Sequence, residues 1–236
     1  MMKKFIYMAI ALAATALSSC SDDDKLPVVT PADRGTVTDD LGNQYNWVRI
    51  GDQLWTTSNA KNGTSLAEAE YYNNFSWKYI LPTDRAVEDY EQNYFPVHGN
   101  LLSFEEAVES APAGWRLPSD EDWQKLEKTL GMKNPGKYGS RGNGVAYSMQ
   151  QTDSGCELGL TLNGSCVPIK SYGWIDMDLD FVGEYGYYWT STINPDYDDD
   201  ATMVYFRRIT ANSGDVSRLC TSSACYMGVR WVKDVD

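Results

Sequence analysis

The apolar positions along the chain fall into stretches of different period, and each period predicts an element. From Val37 to Thr57 they alternate as in β-structure. There Trp47-Val48-Arg49-Ile50 meets Gln53-Leu54-Trp55 across Gly51-Asp52, a pair suited to a tight hairpin turn. Helical spacing appears twice. Ser103 and Glu106 form a Ser-x-x-Glu capping box for Phe104, Ala107, Val108 and Ala111, and Pro112 stops the run. Ser119 caps a second helix, with Asp120, Glu121 and Asp122 placed where the helix dipole favours acids. Trp123, Leu126 and Leu130 give it a buried stripe, and Gly131 is suited to end it. Strict alternation returns at Ile175, Met177, Leu179 and Phe181, which predicts a half-buried strand with its acids in water. Met203 to Thr210 and Val216 to Cys220 read as the arms of a hairpin around Ala211-Asn212-Ser213-Gly214, and Tyr226 to Val232 as a closing strand. Residues 58–100 read as loop, and the chain from 132 onward as turn-rich with short strands. The expected fold is one α+β domain over residues 36–236, with two helices packed on short antiparallel strands and long loops.

The first residues carry a different pattern. Lys3 and Lys4 precede an apolar run from Phe5 to Leu17 that is too short for a permanent membrane span, so residues 1–19 read as a signal peptide. Leu17-Ser18-Ser19-Cys20 resembles the lipobox of bacterial lipoproteins, which implies acylation of Cys20; two or three acyl chains hold a membrane as a single chain cannot. Ser21-Asp22-Asp23-Asp24 resembles the signal that exports lipoproteins of the Bacteroidetes to the outer face of the outer membrane, and also suits a solvated acidic spacer. Residues 20–35 are therefore expected to be a lipidated acidic tether.

Charge narrows the partners. The 236 residues hold 20 Lys and Arg against 33 Asp and Glu, a formal −13; without Lys3 and Lys4, 18 basic groups face the same 33 acids, a formal −15. So large an excess of acid repels a polyphosphate backbone and releases no counterions from it, so nucleic acid is excluded as a partner. His98 is the only histidine, which excludes His-rich zinc sites. Beyond Cys20, the even set Cys156, Cys166, Cys220 and Cys225 in an exported chain reads as two disulfides. Of the three connectivities, the local pairs Cys156–Cys166 and Cys220–Cys225 are favoured, because each brackets turn-forming residues.

Four motifs, in order, resemble the Fibrobacter succinogenes major paralogous domain. They are Val48-Arg49-Ile50-Gly51-Asp52-Gln53-Leu54-Trp55, the run Gly114-Trp115-Arg116-Leu117-Pro118-Ser119 through Trp123, Tyr188-Trp189-Thr190-Ser191-Thr192, and Gly228-Val229-Arg230-Trp231-Val232-Lys233-Asp234, with Trp231 where a cysteine is common. The resemblance implies a C-type-lectin-like fold in which the terminal strands pair, two helices flank the sheet and a long loop region carries variable function. It implies no particular activity. On physical grounds Trp115, Leu117, Trp123 and Trp189 are core anchors beside caps and turns.

Four places offer candidate chemistry or recognition. Asn194, Asp196, Asp198 and Asp199 supply oxygens suited to calcium, and equally form a solvated acidic turn. Asp176-Met177-Asp178-Leu179-Asp180 opens like an EF-hand, but Phe181 and Tyr187 stand where that loop needs glycine and glutamate. Cys220-x₄-Cys225 resembles the thiol pair of formylglycine-generating enzymes without their Gly-Gly-Ser lead-in, and reads better as a structural staple. The densest aromatics, Tyr71, Tyr72, Trp77, Tyr79, Tyr90 and Tyr94, are candidates for stacking on sugar faces or for pinning a long loop to the domain. The expectation is a surface lipoprotein with a non-catalytic module that binds a glycan or a surface or matrix glycoprotein, with no cofactor beyond possible calcium. The alternatives are a structural or assembly protein of the cell surface and, remotely, a thiol oxidase.

Overall fold

The Gly51-Asp52 turn closes as the pattern requires. In the computed structural model, which describes residues 26–63, 88–171, 174–196 and 202–235, β2 (Gln44–Ile50) and β3 (Gln53–Thr56) pair antiparallel with Ile50 opposite Gln53. β1 (Arg34–Thr38) lies on the other side of β2, and the last strand, β12 (Val232–Asp234), adds to β3 to complete a four-stranded sheet. The two ends of the domain are thus neighbours in one sheet.

The second sheet is larger. It holds β4 (Leu102–Ser103), β11 (Tyr226–Met227), β6 (Asn163–Ser171), β8 (Tyr185–Ile193), β9 (Met203–Thr210), β10 (Ser213–Ser222) and β5 (Gly139–Arg141) in that order, with β7 (Trp174–Val182) beside β6. Its named strands pair antiparallel except for β6 with β8, a parallel bridge at Gly164 and Gly186, and β8 makes a second parallel bridge from Tyr188 to Gly228. The class is α+β, with few helices and many strands.

Both expected helices form with their caps. In α2 (Phe104–Glu109) the Ser103 Oγ accepts from the Glu106 amide at 3.2 Å and Glu106 Oε2 accepts from the Ser103 amide at 2.9 Å. In α3 (Asp120–Thr129) Ser119 and Asp122 make the same exchange at 3.1 and 2.7 Å. Each box satisfies two amides that the first turn would otherwise leave open. Trp123, Leu126 and Leu130 are buried, and they join Trp55, Tyr188 and Val216 in the largest core cluster. A second cluster gathers Leu117, Trp189, Phe206, Met227 and Trp231, and a third gathers Tyr90, Tyr94, Leu101, Cys166 and Leu179.

Several expectations give way. Residues 90–98, expected to be loop, form a π-helical turn (Tyr90–Tyr94) that follows the helical Glu88 and Asp89 and continues as α1 (Phe95–His98). α4 (Val145–Gln150) begins at an uncapped glycine, Gly144. Three strands of nine residues each, β6 to β8, replace the short strands expected after 132. Phe181 does not face the core: it is 45% exposed, and its φ of +67° ends the alternation begun in β7. Part of the segment expected to be tether packs on the domain instead. Pro31 is buried, Leu26 and Val29 pack on the largest cluster, and the Arg49 amide donates to the Asp33 carbonyl at 2.8 Å.

The expected closing strand, Tyr226 to Val232, is divided between the sheets because Arg230 is drawn into the interior. Its guanidinium is fully buried and donates to Thr56 O at 2.9 Å, Leu158 O at 2.8 Å, Gly159 O at 2.6 Å and Asn59 Oδ1 at 2.6 Å. Burial lowers its pKa, and the four acceptors replace the water it has lost.

A second buried charge group joins α3 to the large sheet. Arg207 donates to Asp120 Oδ1 and Glu127 Oε1, each at 2.6 Å, Arg141 reaches Glu127 Oε2 at 2.7 Å, and Arg218 reaches Asp120 Oδ2 at 2.8 Å. Burial would raise the Asp120 carboxyl, but Arg218 and Arg207 outweigh it and hold it low. Burial raises Glu127 despite Arg207 and Arg141, and lowers Arg141 to about 10. The Glu127 end of the group therefore carries the desolvation penalty of a buried pair.

Candidate functional site

The aromatic candidates divide. Tyr71, Tyr72, Trp77 and Tyr79 lie outside the described residues. Tyr90 and Tyr94 are 1% and 2% exposed, stacked with ring centroids 5.2 Å apart, so they are no recognition surface. Their hydroxyls are committed as well: Tyr94 donates to Asn163 O at 2.8 Å and Tyr90 donates to Asn100 Oδ1. They pin the 88–100 segment onto β6. The neighbouring His98 ring lies 4.8 Å from Tyr94, and burial lowers its pKa to about 4.

Of the calcium candidates, Asn194 and Asp196 fall among the described residues. Asp198 and Asp199 lie outside the described residues. Asn194 is buried, with Oδ1 accepting from the Asp196 amide at 3.1 Å and Nδ2 pointing to the Cys220 sulfur at 3.6 Å, while Asp196 is exposed. Among the described residues no group of three His, Cys, Asp or Glu side chains could hold a metal ion.

The expected disulfides are a correction. Among the described residues neither Cys156–Cys166 nor Cys220–Cys225 is bonded. Cys156 belongs to the largest core cluster and donates to Ser148 O at 3.1 Å, whereas Cys166 sits in the third cluster. Cys225 lies 3.6 Å from Thr221 Oγ1, inside the second cluster, and Cys220 faces Tyr138 and Asn194. Sequence proximity favoured each pair, but the strands and turns between the two cysteines send their side chains to different surroundings.

A site that the sequence reading did not single out lies on the outer face of the small sheet. In β2 Val48 and Ile50 are buried on one face, and Trp47 is half-buried on the other, beside the buried Tyr45. Trp47 pairs across the ladder with Gly35, and any Cβ at Gly35 would collide with the indole; glycine there lets the ring lie flat on the backbone. The loop before β6 brings Glu157 into the same cleft. Arg34 clasps it in two parallel bonds, Nε to Oε2 at 2.8 Å and Nη2 to Oε1 at 2.6 Å. Glu157 adopts φ +54°, an uncommon conformation for a side-chain-bearing residue and one that tends to be kept at functional sites. With Thr36, Asn46, Thr57 and Thr152 these groups enclose a cleft of about 480 Å³. The arginine hydrogen bond lowers the Glu157 carboxyl, so it is ionised at neutral pH. The cleft offers one flat aromatic face, a ring of hydroxyl and amide groups, and one ion pair.

The sequence match can now be placed on this geometry. The family model of the Fibrobacter succinogenes major domain matches residues 48–233, well over half of the chain. The protein belongs to this family. No curated relative and no solved structure matches it. The major-domain match ends at its N-terminal side beside Trp47. Glu157, Thr57 and Thr152 fall within the matched segment, whereas Arg34, Thr36, Asn46 and Trp47 come from just before it. The motifs of the major domain serve the core. Trp123 Nε1 donates to Trp189 O at 3.3 Å, Trp189 Nε1 donates to Leu102 O at 2.9 Å, and Arg116 pairs with Asp122 and Asp234. Trp115 is half-buried against the second cluster. The one outward tryptophan of the opening hairpin was the available signal for the cleft: alternation that places Val48 and Ile50 inside places Trp47 and Arg49 outside.

Proposed function

We propose that the protein is a lipoprotein anchored through Cys20 on the extracellular face of the outer membrane, and that its domain is a non-catalytic module binding a glycan or the glycan of a surface or matrix glycoprotein. The observation that carries the reading is the Trp47 cleft. An indole face is apolar enough to stack on the CH side of a sugar ring, and the surrounding Thr, Asn, Arg and Glu groups can exchange hydrogen bonds with its hydroxyls. The finer fold reading, a C-type-lectin-like domain, draws support from the pairing of β1–β3 with β12 and from the two capped helices flanking the strands.

The test is a broad glycan array probed with the full chain in nonionic detergent, as wild type and as Trp47→Ala, in calcium and in chelator. The expected result is specific binding that survives chelation and disappears in Trp47→Ala. Binding abolished by chelator but kept by Trp47→Ala moves the site to the 194–200 loop. Silence across a well-populated array replaces the glycan reading with a structural or assembly role and protein partners.

A further inference from the structure

A second cavity lies on another part of the surface, beside the start of the described chain. Leu26 and Pro27 run along the C-terminal end of α3. Gly131 has φ +98°, and a Cβ there would stand 2.5 Å from Pro27 Cδ, so a glycine both ends the helix and admits the arm. The arm forms one wall of a cavity of about 390 Å³ whose other walls carry Lys133, Lys137, Asn143 and Asp215. Both lysines are exposed, and neither makes an ion pair with a described residue. The Asp215 carboxylate is oriented by the Asn143 amide at 2.9 Å and Ser140 Oγ at 3.1 Å. Arg141 also reaches the cavity, but its guanidinium is committed to Glu127, Val216 O and Pro135 O and supplies no free charge.

Two unpaired ammonium groups and one oriented carboxylate around a single cavity do not suit a simple ion. A phosphate alone meets Asp215, and a cation alone meets both lysines. We infer that this cavity binds a phosphoethanolamine head group, with the phosphate between Lys133 and Lys137 and the ammonium at Asp215. The pairing of opposite charges at both ends gives selectivity through repulsion of the wrong halves as well as attraction of the right ones. The arm places the cavity close to a source of such groups. Cys20 precedes Leu26 by six residues, and an extended chain of that length reaches about 20 Å. A membrane phospholipid is thus within range when the proposed anchor is in place, and a phosphoethanolamine carried on a glycan presents the same chemistry. The cavity's selectivity does not depend on the Trp47 cleft or on the anchor.

The experiment is a titration of the full chain in nonionic detergent with O-phosphoethanolamine, inorganic phosphate and ethanolamine. Phosphoethanolamine is expected to bind at least tenfold more tightly than either half. Lys133→Gln with Lys137→Gln should abolish its binding. Asp215→Asn, which keeps an acceptor for Asn143, should erase the preference over phosphate, and Asp215→Ser gives the same reading should the first variant melt early. Equal binding of phosphate and phosphoethanolamine by the wild type, or a preference that survives both sets of substitutions, overturns the proposal. Cys20→Ala chain is then mixed with phosphatidylcholine vesicles with and without phosphatidylethanolamine. Enrichment on the latter that vanishes in the lysine double variant assigns the membrane as source. Binding of the soluble compound without vesicle preference assigns a glycan-borne group. Binding at the Trp47 cleft is unaffected by either variant, so the two proposals fail separately.

Discussion

Two arginine–carboxylate arrangements in this domain use the same chemistry to opposite ends. At the Trp47 cleft, Arg34 clasps Glu157 in the open, with side chains 52% and 22% exposed. Beneath the large sheet, Arg207 clasps Glu127 with both at 0% exposure, and Asp120, Arg141 and Arg218 complete the group. The exposed pair already shares its charge with water, so a ligand can take over one of its hydrogen bonds at little cost. The buried group has no such substitute: every donor and acceptor must find its partner within the protein, which locks the position of α3 on β9 and β10. Location, and not the identity of the residues, decides which pair is available for recognition and which specifies the fold.

The sharpest way to break this comparison is to remove one buried member. Arg207→Ala leaves Glu127 with Arg141 alone and Asp120 with Arg218 alone, and should cost about 3–5 kcal/mol, seen as a large fall in the urea midpoint; a midpoint like that of the wild type would show the buried group to be no more structural than the exposed one. Next comes Trp47→Ala. It should reduce glycan binding at least tenfold while stability changes by no more than about 2 kcal/mol, since only part of the ring is removed from water. Arg34→Ala should leave the melting curve superimposable on the wild type and weaken binding several-fold, by calorimetry. A stability loss comparable to that of Arg207→Ala would erase the distinction.

Acid sharpens the comparison further. Asp120 and Asp122 are held low by their arginines, so their stabilisation is full above the ordinary carboxylate range and is lost as pH falls through their depressed native values. Thermal stability should therefore be flat near neutrality and collapse below about pH 4. His98 adds a smaller slope at higher pH. Its native pKa of about 4 lies below the ordinary 6.5, so the unfolded chain binds the extra proton and stability declines as pH falls between those values. As the only imidazole, it gives a clean NMR titration, and a midpoint near 6.5 would contradict its burial. His98→Phe should flatten that part of the profile.

What the sequence made legible was local and periodic. Both helix caps, the Gly51-Asp52 hairpin and the 203–220 hairpin carry their signals within a few residues, and each formed as expected. The family itself was legible from four motifs because they encode core contacts that recur in order along the chain. What stayed hidden depended on distant partners. Arg230 looked like an ordinary strand residue, and only the convergence of Thr56, Asn59, Leu158 and Gly159 explains why the strand breaks around it. Glu127 drew no attention in its own helix, yet Arg207 and Arg141 from the large sheet pair with it in the interior. The four cysteines illustrate the same limit. Their spacing suggested two local pairs, whereas three core clusters divide Cys156, Cys166 and Cys225 among them. The cleft, too, is assembled from β1, β2 and the loop near 157, segments that no sequence window spans.

The division of the final strand bears on when the molecule can take shape. Tyr226–Met227 closes onto Leu102–Ser103 in one sheet, and a few residues later Val232–Asp234 closes onto Gln53–Trp55 in the other, with Trp231 O and Val229 O receiving the amides of Thr56 and Ala60 on the way. The N-terminal third of the domain therefore waits for the last ten or so residues to be made before its edge is sealed, a high-contact-order arrangement that slows folding. Loss of the terminal segment should leave not a shortened domain but an unsealed one with two open sheet edges prone to self-association. The closing segment thus acts as a latch on both sheets, and the latch is made last.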